Sequence, residues 1–192
     1  MNTWPLPELL PERWSVNGLT LIPLTPELVE PDYAAVMRDI TMLRAWSGED
    51  WPYEGFPIAD NLADLQRHDR EQHERSALTY SVLIDDVVQG CIYVRPLADA
   101  LRSRHVDPSE LSVAPPADAV VGGWLHDRPA EDLVAATVDW LSAEPFVFTR
   151  VWWQTNSQDP AQVLACAQLG LTEQRSFAGD GRTWTLCSRV QR

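Results

Sequence analysis

Two apolar segments joined by one amphipathic helix constrain this chain more than any other feature in it. Residues 119–125 (AVVGGWL) and 147–154 (VFTRVWWQ) read as strands. Between them, Pro129 opens a helix that runs to about Ser142, with Leu133, Val134, Val138 and Leu141 as its apolar face. A strand, a helix of that length and a second strand make a crossover. The two strands therefore lie parallel in one sheet, and the helix covers a face of it. Gly122 and Gly123 fall inside the first strand. Adjacent glycines weaken a strand and mark a bulge or a close approach of another backbone.

The remaining elements follow from shorter signals. Residues 1–18 are Pro-rich and carry Trp4 and Trp14, predicting an irregular arm pinned by its indoles, with a single domain over 19–192. A short strand is expected at 19–23. Thr25 and Pro26 predict a capped helix start, running to about Asp39 and interrupted at Pro31. Residues 44–57, rich in Gly, Pro and aromatic rings, predict a loop. Residues 61–74 predict a charged surface helix with a thin stripe at Leu62 and Leu65. Residues 79–84 and 91–94 predict an antiparallel hairpin joined by 85–89, and 97–116 a long irregular connection. Asp159 and Pro160 cap and start a last helix that Gly170 ends, and a closing hairpin covers 172–177 and 183–187.

Charge and cysteine usage narrow the function. The 192 residues carry a formal net charge of −13. Such a surface repels phosphate backbones and anionic headgroups, which argues against nucleic-acid or membrane partners and suits a cationic substrate such as an amine. Cys91, Cys166 and Cys187 lie far apart in apolar runs, without metal or disulfide spacing. His68, His73, His105 and His126 form no metal motif; a solvated helix face accounts for the first two. No leader-like start and no long apolar run is evident, so the cytoplasm is the expected location. Nine Trp residues in a chain of this length predict that several line a groove or interface, including that of a homodimer.

Three blocks carry a family resemblance: YSVLIDDVVQGCIYVRP, DLVAATVDWL, and VWWQTNSQDPAQVLACAQLGL, whose strand ends in Thr-Asn and whose helix stops at Leu169-Gly170-Leu171. In this order they resemble the GNAT superfamily of N-acetyltransferases, over about half of the chain. The resemblance implies an α/β fold built on a mixed central sheet with helices on both faces. It implies acyl transfer from acetyl-CoA to a primary amine, on a small molecule or on a protein N-terminus or lysine. The cosubstrate's pantetheine arm would lie along Gly123, Trp124 and Leu125, where two parallel strands splay beyond a bulge, with Arg128 and Asn156 on the rest of it. Asp118 falls near the family's base. Cys166 stands where a proton-donating Tyr is common, and in its own right reads as a core thiol. The aromatic loop supplies Trp51, Tyr53 and Glu54 for the acceptor, by cation–π and charge contacts.

The phosphate loop departs from the family. Arg128 is kept, but Pro129-Ala130-Glu131-Asp132 replaces the Gly-rich turn. Pro129 removes an N–H, and two carboxylates sit where a pyrophosphate would. A second reading is therefore a domain that keeps the fold but has lost catalysis and serves as a binding module. In that reading Arg128 is a surface ion-pair partner of Asp127 or Asp132.

Overall fold

The computed structural model describes residues 4–107, 109, 117–179 and 181–189. Eight strands form one sheet in the order β1-β2-β3-β4-β5-β6-β8-β7: β1 Trp14–Val16, β2 Leu19–Pro23, β3 Leu78–Ile84, β4 Val87–Pro96, β5 Asp118–Leu125, β6 Arg150–Asn156, β7 Glu173–Gly179 and β8 Arg182–Ser188. Every neighbouring pair is antiparallel except β5 and β6. The expected crossover is there: α5, Ala130–Leu141, links those two strands and buries Leu133, Val134, Val138 and Leu141.

Side chains alternate across the sheet, so each face has its own core. On one face, Leu21, Tyr80, Ile92, Val94, Val121 and Trp153 pack against α5 and α6 (Pro160–Gln168). On the other, Leu83, Val88, Cys91 and Trp124 meet α1 (Val29–Arg38), α2 (Ile40–Ser47) and α3 (Ile58–His73). Val120, Trp152 and Leu186 lie under α4, Leu97–Ser103. The arm is pinned as its tryptophans predict: Trp4 stacks on Phe148 and Trp14 on Trp140. Its last residues also pair with β2 as β1.

Several local expectations are corrected. Residues 44–57 are not all loop, because α2 continues to Ser47; Asp39 accepts from the Met42 amide at its start, and Gly48 at φ +83° ends it. The Pro/Gly-rich stretch begins only there. The connection after β4 holds α4, with Leu97, Ala100 and Leu101 turned inward; residues 108 and 110–116 lie outside the described residues. The Thr25 hydroxyl caps no helix: a short 3-10 turn, Pro26–Leu28, precedes α1. Pro31 stands in the first turn of α1, where its missing N–H costs nothing. The hairpin turn is tighter than expected, at Asp85 and Asp86, both with positive φ, which Asp tolerates better than most residues. Finally, α3 is not a purely exposed helix, since it buries Asn61, Leu65 and His68.

The two glycines of β5 have different jobs. β5 runs against β4 without a register shift from Ala119 to Leu125, so the expected bulge is absent from it. A Cβ on Gly123 would meet the Cys91 carbonyl oxygen at 2.7 Å and Ile92 Cγ2 at 2.8 Å. One on Gly122 would meet only the Gln154 carbonyl oxygen, at 3.6 Å. Gly123 thus permits close approach to β4, while Gly122 has room for a Cβ at ordinary contact distance. Gly123→Ala is expected to destabilise by about 1–3 kcal/mol through overpacking, lowering Tm by several degrees, and Gly122→Ala to leave Tm nearly unchanged. Thermal denaturation of the two variants side by side reads the difference.

Candidate functional site

β5 and β6 pair at only four positions, from Asp118 with Arg150 to Val121 with Trp153. Beyond these, β5 continues to Leu125 and β6 to Asn156 without pairing to each other. The central parallel strands therefore part at Gly122. Parting leaves backbone groups without ladder partners, and buried ones must be satisfied otherwise. Gln162 of α6 does this for one: its Nε2 donates to the Gly123 carbonyl at 2.7 Å, while its Oε1 accepts from Trp153 Nε1 at 2.9 Å. Asp159 and Pro160 start α6, with the Asp159 carboxylate accepting from the Gln162 amide.

Asn156 secures the other strand. Its Nδ2 donates to the carbonyls of Ala45 and Trp46, both at 3.0 Å, and its Oδ1 accepts from the Gln158 amide at 2.8 Å. The end of α2 is thereby tied to the tip of β6.

A cavity of about 420 Å³ opens on the α2–α3–α4 face and reaches the point of parting. Gly122 and Gln154 line it from β5 and β6, with Tyr93, Arg95 and Val120 beside them. Trp46, Trp51 and Trp184 form aromatic walls. Trp46 stacks on Tyr93 at 5.4 Å, and the Arg104 guanidinium lies 3.6 Å from the centre of the Trp184 ring. The volume falls within the range of small-molecule sites.

Charged groups line one end. Arg67 pairs with Asp64 and Glu71 and donates to His68 Nε2 at 3.1 Å. A guanidinium has no acceptor, so Nε2 is the unprotonated ring nitrogen, leaving Nδ1–H toward Thr79 and Glu71. Burial lowers the pKa of His68 further, with Arg67 and Arg95 adding to it, and the ring is neutral. Glu71 is held down to about 2, first by its hydrogen bond with His68 and then by Arg67 and Arg95. Burial raises the Tyr93 phenol well above its usual range, with Cys91 and Asp32 contributing.

No protein-family model and no curated protein matches the sequence. Solved structures do match in shape. The ribosomal-protein-S5-alanine acetyltransferase from Vibrio fischeri superposes with a TM-score of 0.63 at 13% identity, over 93% of this chain and 96% of that one. The microcin C7 self-immunity acetyltransferase MccE, solved with acetyl-CoA and AMP, gives 0.66 at 12%, over 92% and 94%. AAC(6')-Ib, solved with ribostamycin and coenzyme A, gives 0.64 at 15%, over 91% and 94%. This chain has the fold of the GNAT acetyltransferases.

Within that fold, the residues singled out in the sequence are dispersed. Gly123, Trp124 and Leu125 lie beyond the last β5–β6 pair, at the parting. Trp124 is a buried core side chain under α1 and α2, and the Gly123 carbonyl is taken by Gln162. Arg128 donates to Asp132 at 2.7 Å and to the Asn17 carbonyl at 3.3 Å, which is the ion-pair role. Asn156 is engaged by the Ala45 and Trp46 carbonyls and the Gln158 amide, and Asp159 caps α6 as expected. Asp118 is buried at the far end of β5 from the parting, accepting from Trp152 Nε1 at 3.0 Å. Cys166 is buried in the α6 core beside Cys187, which raises its pKa and keeps it a thiol. Of the aromatic loop, Trp51 lines the cavity; Tyr53 turns to Asp60, and Glu54 is exposed.

The histidines divide. His73 is exposed as expected, whereas His68 is buried on the cavity wall. His126 is also buried, with Nε2 donating to the Ala35 carbonyl. Gln162, Gln154, Tyr93 and Arg95 carry no sequence signal beyond their places on strand or helix. Tyr93 and Arg95 do share one strand face with Cys91, at period two.

Asp32, buried beneath the site, accepts from Asn61 Nδ2 at 2.9 Å. Burial raises its pKa to about 6. The folded state therefore holds a proton that the unfolded chain has released between pH about 4 and 6, and stability falls as pH rises through that window. Asp32→Asn is expected to remove this slope and raise stability at pH 7 by about 2–3 kcal/mol. Urea unfolding at pH 4.5 and pH 7.5 checks it.

Proposed function

We propose that the chain transfers an acyl group from a coenzyme A thioester to an amine held in the cavity. One observation carries this reading: the parallel strands separate at the residue where the cavity meets the sheet, so a chain entering from one side and an acceptor lying on the other would meet at Gly122. Acetyl-CoA is the natural donor, since one of the similar structures was solved with acetyl-CoA and two with coenzyme A.

The two ends of such a donor fit differently. An extended amide chain can pair with the unpartnered edges at Gly122–Leu125 and Gln154–Asn156. There it competes with Gln162 for the Gly123 carbonyl. The diphosphate finds less. The first turn of α5 carries Glu131 and Asp132, and Arg128 is already bonded to Asp132. A bound thioester supplies the acyl carbon. The chain's own side chains supply the setting: aromatic walls exclude water, Gln154 and Gly122 mark where the amine would lie, and the Tyr93 phenol stays protonated nearby. His68 is not free to act as a base, because both its nitrogens are engaged. An acceptor amine would therefore lose its proton to water or to Glu49 at the mouth.

The acidic first turn and the Gln162 bridge favour the second reading, a binding module without catalysis. Calorimetry with acetyl-CoA and a thiol-release assay over an amine panel separate the two. Binding with release supports acyl transfer; no heat at millimolar ligand ends it. Glu131→Gln with Asp132→Asn is expected to tighten acetyl-CoA about 3- to 30-fold and to leave acetyl-pantetheine, which lacks phosphate, unchanged. Gly122→Leu is expected to keep the fold, since an added Cβ would meet only the Gln154 carbonyl oxygen, at an ordinary contact distance of 3.6 Å, and to abolish turnover by filling the cavity floor.

A further inference from the structure

The protein is acidic, yet among the described residues three of the five charged ones lining its cavity are arginines: Arg67, Arg95 and Arg104, against Glu49 and Asp64. Arg67 is accounted for by Asp64 and Glu71. Arg104 lies over the Trp184 ring. Arg95 differs. It stands on β4 opposite Val120, on the cavity floor, half-buried. Its charge reaches Glu71 and His68 through space, but among the described residues it has no hydrogen bond and no ion pair. A guanidinium presents five N–H donors and accepts nothing. Holding one half out of water without an acceptor is unfavourable unless something else fills that role.

We infer that the acceptor carries an anionic group, a carboxylate or a phosphate, which docks on Arg95 with Arg104 close by. The planar fork of an arginine matches both anions in two-point geometry. Arg95 and Tyr93 are successive residues on one face of β4, and Tyr93 is opposite Gly122. The two positions are about 7 Å apart along the strand, so one small molecule spans both. Its anion lies at Arg95 and its amine at Gln154 and Gly122, where the strands separate. Only the placing of the amine rests on the acyl-transfer reading; the anion site does not. The overall acidity of the chain suggests a simple cation as substrate, and the cavity corrects that to an acceptor bearing both signs of charge.

The test is calorimetry on the full chain with matched probes: phenylalanine against phenethylamine, O-phosphoethanolamine against ethanolamine, and acetate and inorganic phosphate alone. At least one anionic member is expected to bind at least tenfold tighter than its uncharged-end counterpart. Arg95→Met is expected to weaken that member about 10- to 100-fold and leave the plain amine unaffected, with Tm little changed because Met keeps the apolar stem and no hydrogen bond or ion pair of the protein is lost. Arg95→Lys should restore part of the loss. Binding of carboxylates alone, or of phosphates alone, supports the site and identifies its anion. Equal binding of acid and amine, indifference to Arg95→Met, or no binding of any anionic probe at millimolar concentration overturns it. Anion binding without thiol release leaves this site standing and removes the acyl-transfer reading.

Discussion

The structure depends on the failure of two parallel strands to stay together. β5 and β6 share a ladder for four residues and then part, although both continue as extended chain. A sheet normally cannot leave such edges open in its middle, because each unpaired amide or carbonyl in a dry interior costs free energy of the order of a lost hydrogen bond. Here the opening is held from both sides. Gln162 reaches in from α6 to satisfy Gly123, and Asn156 turns away from β5 to hold the last carbonyls of α2. The parting is therefore a built feature: Gln162 replaces one bond of the missing ladder, and Asn156 ties the tip of β6 to α2.

The surroundings of that opening are uneven. On the α2–α3–α4 face an aromatic cavity reaches it, with a charged cluster in which His68 is kept neutral and Glu71 ionised. On the α5 side, where a helix N-terminus would ordinarily favour an anion, Glu131 and Asp132 occupy the first turn, and Asp127 just before it pairs with Arg38. The cavity side is thus furnished with cations and the α5 side with anions, although the chain as a whole is acidic.

The architecture was legible in the sequence because crossover chirality and side-chain period leave few alternatives. The 119–125 and 147–154 runs with the helix between them determined the parallel pair, and the buried face of α5 followed from its spacing. The errors arose where tertiary context outweighed local chemistry. α2 ends amid aromatic and Gly residues that look like loop, and α4 is a two-turn helix hidden in a Pro-rich stretch. The site was harder. Asp118, Cys166, Arg128 and Asn156 are polar or reactive residues near the expected places, but each has a packing or bonding partner that engages it locally. Arg95 and Gln154 come to the cavity, and Gln162 to the parting, through what lies opposite them in the fold. No spacing along the chain encodes that.

Asn156 gives the opening a mechanical consequence. Its side chain grips the carbonyls of Ala45 and Trp46, so the indole wall at Trp46 rides on the same lever as the tip of β6. Prising that tip outward to admit a bulky guest would drag the wall with it and reshape the chamber on the opposite side of the sheet. The end of α2 and the tip of β6 would shift together for as long as those two hydrogen bonds hold.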